Sequence, residues 1–170
     1  MEKNTLRQKL KASSDSLLHT ISTFPDSEFN TEPPEGGWSA GQVAEHLVKV
    51  EGGTVRVLTS EGQKADRAPE QYIPIMKKRL LDFESKMQAT KPIVPDDQSK
   101  DKEDILATLQ DIRQRMTSLI ETQDLTQRAV AFEHPIFGYL TRVEWIVFVI
   151  YHSQRHLYQI KELAKGAGPK

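Results

Sequence analysis

Apolar residues recur at three- and four-residue steps in four long stretches of this chain, separated by segments of proline, glycine and charge. From about Thr5 to Phe24 the apolar positions are Leu6, Leu10, Leu17, Leu18, Ile21 and Phe24. That spacing predicts a helix with one buried stripe, ended by Pro25. The segment PDSEFNTEPPEGGW, with three prolines and two glycines, reads as loop. Next, Ser39-Ala40-Gly41-Gln42 fits a capping box, in which the Ser hydroxyl and the Gln amide each satisfy a free backbone N–H. A second helix therefore opens after Ser39 and continues through Val43, Leu47, Val50, Val57 and Leu58. Gly52-Gly53 weakens its middle by roughly 1 kcal/mol per glycine relative to alanine, and marks either a bend or a close helix contact.

Residues 61–100 are less regular. Ile75, Met76, Leu80, Phe83 and Met87 predict a helix bounded by Pro74 on one side and Pro92 and Pro95 on the other. KPIVPDDQSKDKED follows as an extended connector with a charged exit. Ile105, Leu109, Ile112, Met116, Leu119 and Ile120 then set a clean helical period from roughly Lys102 to Thr122. FEHPIFGYLTRVEW is a loop turning at Gly138, and Thr141-Arg142-Val143-Glu144 is a second capping box. Residues 145–151 are β-branched and aromatic enough for a strand, but the cap and the length to Leu163 make a helix. A helix apolar nearly all round is buried, at the centre of a bundle or at a subunit interface. The fold class that results is all-α: an antiparallel four-helix bundle, one domain over residues 1–170, with a long, partly helical connection between its second and third helices.

Composition narrows the function. The net charge of −1 and a pI near 6.5 lack the basic excess of a nucleic-acid binder. The chain has no cysteine, so it offers neither a disulfide, a thiolate ligand nor a thiol nucleophile. The N-terminus is too polar for a signal peptide, and VEWIVFVIY is far shorter than the roughly 20 residues of a membrane span. A soluble, cytoplasmic protein is expected, with no membrane partner.

The candidate chemistry lies in histidines. His152 and His156 are four apart on the last helix, hence neighbours on one face, and that face runs on through Trp145, Val149, Ile160 and Leu163. His46 sits on the apolar stripe of the second helix with Val43, Leu47 and Val50. Three inward imidazoles either find ordinary hydrogen-bond partners or share a cation, since a buried unsatisfied polar group costs on the order of 1–3 kcal/mol. Three imidazoles with one open position suit zinc, nickel, iron or copper. H-S-Q-R-H lacks the Glu of H-E-x-x-H, which excludes a zincin-type protease. His19 and His134 are expected to be structural or at the surface. Of the carboxylates, Glu45 and Glu51 point away from His46, and Glu144 belongs to the cap. Arg155 is assigned to the solvated face, and Trp38 to packing the loop onto the bundle.

GWSAGQVAEHL, HPIFGYLTRVEW and YHSQRHLYQI, in this order and spacing, resemble the DinB/YfiT-like superfamily of four-helix-bundle proteins. The resemblance implies a divalent metal, commonly nickel or zinc, on His46, His152 and His156. It also implies a frequent homodimer and a small-molecule substrate. Relatives include metal-dependent hydrolases and enzymes that transfer a low-molecular-weight thiol such as bacillithiol. With no cysteine in the chain, such a thiol would come from the substrate. The competing expectation is a non-catalytic homodimeric bundle with a stress-related or scaffolding role, whose metal only staples helices.

Overall fold

Each long periodic stretch forms a helix whose apolar stripe is its buried face. The structure is a computed structural model describing residues 1–85 and 87–166. Helix α1 (Lys3–Ser22) buries Leu6, Leu10, Leu17 and Ile21. A single helical turn, α2 (Asp26–Phe29), interrupts the stretch read as loop: Asp26 and Glu28 complement its N-terminal dipole, and Phe29 packs edge-on against Phe24. Helix α3 (Ala40–Thr59) opens with the expected capping box, Gln42 N–H donating to Ser39 Oγ at 3.2 Å and Ser39 N–H to Gln42 Oε1 at 3.0 Å. It runs unbroken through Gly52-Gly53, where an added Cβ would meet only ordinary contacts, 3.6 Å from Ile112 Cδ1 and 3.7 Å from Arg56. A close helix contact is therefore not why these glycines are there.

The connection that follows departs from the sequence reading. After a two-residue strand β1 (Gly62–Gln63), helix α4 covers only Ile73–Leu80, with Pro74 inside its first turn. Phe83 and Met87 fall beyond its end and stay exposed; Phe83 stacks on Tyr158 at 4.6 Å. Only Met76 and Leu80 of that stripe reach the core, so burial sustains two turns of helix and no more. A 3-10 turn at Lys91–Ile93 leads into α5 (Lys102–Thr122), N-capped by Asp101. Strand β2 (Arg128–Ala129) pairs antiparallel with β1, Gly62 opposite Ala129. Thr141 and Glu144 then cap α6 (Arg142–Ala164).

Helices α1 and α3 each pack against both α5 and α6, while α4 lies on α6. Val143 to Ile150 are all buried within this one chain, among residues of α1, α3, α4 and the segment Leu125–Leu140. The apolar run thus needs no second subunit to cover it. No described helix is long and apolar enough to cross a membrane.

Candidate metal centre

The two capping boxes fix where α3 and α6 begin, and helical spacing then fixes which side chains turn inward. From α3 comes His46 and from α6 come His152 and His156; the first two are buried and the third is half-buried. His152 Nε2 lies 3.3 Å from His46 Nε2 and 3.2 Å from His156 Nε2, and the three ligand-capable nitrogens all lie within 4.8 Å of one another. The structure therefore brings together all three histidines singled out in the sequence.

The outer nitrogens say which way the lone pairs point. His46 Nδ1 donates to the Ile93 carbonyl at 2.7 Å, so its proton is on Nδ1 and its Nε2 is a bare acceptor. His156 Nδ1 donates to Gln159 Oε1 at 2.9 Å, with the same result. Two lone pairs thus face His152 Nε2, which can carry at most one proton between them. His152 Nδ1 is buried with no hydrogen-bond partner among the described residues. A trio of nitrogens short of protons is a poor hydrogen-bond network and a good ligand set. In a tetrahedral site with metal–nitrogen bonds of about 2.0–2.1 Å, neighbouring nitrogens are about 3.3–3.4 Å apart, close to the two separations that His152 makes with His46 and His156.

Burial also keeps the rings in the form a cation needs. Desolvation lowers the His46 pKa, opposed by its bond to Ile93 and aided by Lys49. Desolvation, then the neighbouring imidazoles, hold His152 well below the usual histidine range and His156 down to about 3. All three are neutral at pH 7.

Around this centre the structure corrects the expectations for Arg155 and Glu51 and adds detail to those for Trp38 and His134. Arg155 does not lie free on the solvated face: it donates to the carbonyls of Asp82 (2.5 Å) and Ser85, stapling the turn after α4 to α6. Trp38 packs the loop onto the bundle, as expected, but its ring also sits 5.0 Å from that of His46. His134 is buried, 4.8 Å from Phe148, whose ring stacks on His152. Glu51 is fully buried and paired with Arg113, a partnership missed in the sequence. The signal was there: each of these residues interrupts an apolar stripe, Glu51 four after Leu47 and Arg113 four after Leu109.

The remaining carboxylates are engaged elsewhere. Glu45 is held by Lys49 and Lys100 and accepts the Asp96 N–H. Glu144 accepts from Arg67, Tyr72 N–H and Thr141 N–H.

The DinB superfamily model matches residues 9–160. The chain is 25% identical over 142 residues to the Bacillus subtilis "Uncharacterized protein YuaE", covering 81% of this chain and 84% of that protein. It is also 25% identical over 160 residues to the Bacillus subtilis "Putative metal-dependent hydrolase YfiT", covering 89% and 78%. Among solved structures, YfiT superposes with a TM-score of 0.63 at 22% identity, covering 96% of this chain and 86% of that one. The four-helix bundle protein TT2238 gives 0.60 at 22%, covering 94% and 98%. The chain belongs to the DinB superfamily.

Proposed function

We propose that this member of the DinB superfamily is a metal-dependent enzyme. In this reading it holds a divalent transition metal, nickel or zinc, on Nε2 of His46, His152 and His156, and acts on a small molecule. One observation carries the proposal: three imidazoles from two helices converge on their Nε2 atoms, and two of them have the other nitrogen tied outward. The relation to YfiT, a protein named for metal-dependent hydrolysis, supports it.

A divalent cation so held is a Lewis acid that lowers the pKa of a water or thiol brought to its open position. The chain's own part is to present neutral ligands and aim them. The Ile93 carbonyl and Gln159 hold the rings of His46 and His156 in the required tautomer. Trp38 covers one side of His46.

Which reaction follows depends on the proton. Glu45, Glu51 and Glu144 are each bound to a cationic side chain, so none is positioned to take a proton from an attacking water. A substrate that ionises without a carboxylate base fits best, and a low-molecular-weight thiol does so more readily than water. Thiol transfer to an electrophile is therefore the favoured reaction, and small-molecule hydrolysis the second.

Elemental analysis joined to a turnover screen tests this. Wild type carries near-stoichiometric nickel or zinc, His46→Ala carries none, and only wild type consumes thiol in the presence of a bimane electrophile. Metal without turnover in thiol-transfer and hydrolysis screens supports a stapled, non-catalytic bundle instead. No transition metal under varied preparations ends the metal reading.

A further inference from the structure

A second polar cluster lies in the core beside the imidazoles. Arg113 of α5 donates through Nε to Glu51 Oε2 at 2.9 Å and through Nη2 to Glu51 Oε1 at 2.5 Å. The same Nη2 donates to Ser153 Oγ of α6 at 2.6 Å, and Nη1 to Ser14 of α1 at 3.1 Å. Ser153 Oγ is also 2.9 Å from Glu51 Oε1 and 2.6 Å from the Val149 carbonyl, either of which can accept its proton. Glu51, Arg113 and Ser153 are each no more than 3% exposed. All four long helices meet in this one network.

Stability alone does not account for such a cluster. A buried ion pair recovers its desolvation cost only when every hydrogen bond is made, and apolar residues of the same volume commonly hold a core as well. What charged hydrogen bonds add is direction. Apolar burial is itself non-directional, so against a one-residue slide of one helix along another, about 1.5 Å, it offers only the shape of the packed side chains. The bonds from Glu51 and Arg113 to Ser153 do not tolerate such a slide. Ser153 follows His152 directly and Glu51 lies five residues after His46, so the network ties α3 to α6 within two turns of the imidazoles.

We propose that Glu51, Arg113 and Ser153 are positioning residues, a register pin that holds His46 of α3 opposite His152 and His156 of α6 at the spacing a cation requires. This rests on the metal reading of the three histidines.

Cobalt(II) is the probe, because its d–d absorption reports ligand geometry separately from affinity. Two variants are compared with wild type: Ser153→Ala, which leaves the ion pair in place, and Glu51→Leu/Arg113→Met, which replaces both charges with apolar volume. The expected result is a metal-free Tm within a few degrees of wild type, or above it for the double variant. Cobalt affinity should fall about 10-fold, the low end of the range for residues that hydrogen-bond a metal ligand, because these residues act through helix register and touch no ligand ring, and the spectrum should broaden. Wild-type affinity and spectrum in a folded variant overturn the inference alone. Weaker binding confined to a variant whose Tm has collapsed overturns it too, since that is damage to the fold. If the double variant does not fold, Ser153→Ala decides by the same criteria. Failure of the wild type to bind cobalt, nickel or zinc removes the metal reading and this inference with it.

Discussion

His46 Nε2 lies 3.3 Å from His152 Nε2 across 106 positions of the chain, while His46 Nδ1 is fixed by the Ile93 carbonyl. The proposed ligand set thus exists only when α3, α6 and the Lys91–Ile93 turn are all in place, and a metal that binds it binds the folded state. Added zinc or nickel should raise the stability of the metal-free protein by about 2.7 kcal/mol at a hundredfold excess over Kd. His152→Ala should abolish that increment. Thermal melts with and without metal check this, and an equal shift in wild type and variant would count against the three-histidine site.

Arg67 and Glu144 tie the long connection to the start of α6. Glu144 is fully buried, caps its helix, and receives both Arg67 amino groups at 2.7 and 2.8 Å as well as Tyr72 N–H. Removing Arg67 leaves a carboxylate in the core with its main counter-charge gone. Arg67→Ala should destabilise the protein by about 3 kcal/mol, read by urea denaturation. A loss below about 1 kcal/mol would mean that the cap alone satisfies Glu144.

The glycines of α3 should respond with opposite signs. A Cβ at Gly41 would lie 2.8 Å from Asn30 Oδ1 and 3.1 Å from the Phe29 carbonyl, and Asn30 is itself bonded to Lys100. Gly41→Ala should therefore cost about 1–3 kcal/mol through overpacking. Gly52→Ala and Gly53→Ala meet no tight contact and should each stabilise by about 0.5–1 kcal/mol, the helix-propensity difference. Equilibrium unfolding of the three single variants gives the signs directly.

His134 makes stability depend on acid. Its ring is packed among Phe137, Trp145 and Phe148, its Nδ1 accepts the N–H groups of Ile136 and Phe137, and burial pulls its pKa down to about 4. Above the ordinary histidine value of about 6.5 the ring is neutral in both folded and unfolded chains, and its contribution is fully present. As pH falls from about 6.5 toward 4, the unfolded chain takes up a proton that the folded one refuses. Stability then drops by up to about 3 kcal/mol. His134→Asn keeps an acceptor for the two amides and removes the titration. It should be less stable at pH 7, for want of the ring, but lose less between pH 7 and 4.5. The slope flattens in part only, because His46, His152 and His156 are depressed in the same direction. An unchanged slope in denaturation series at the two pH values would exclude His134 as a contributor.

Local rules made much of this protein legible in advance. Ser39–Gln42 and Thr141–Glu144 place the starts of α3 and α6, the apolar period marks α1 and α5, and four-residue spacing puts His152 beside His156. Each of these is a relation between residues within a turn or two, where backbone geometry leaves few choices. The connection between α3 and α5 is less legible. The spacing of Phe83 and Met87 is helical, yet the helix ends at Leu80 because nothing beyond it offers those side chains a core.

Tertiary structure alone decided the relations between helices. It set His46 against His152, turned the Ile93 carbonyl toward His46, paired Glu51 with Arg113, and sent Arg155 to the turn after α4. No periodicity encodes these pairings, because each depends on how far one helix is slid and rotated against another. That displacement is fixed by side-chain packing and buried hydrogen bonds summed over the whole bundle.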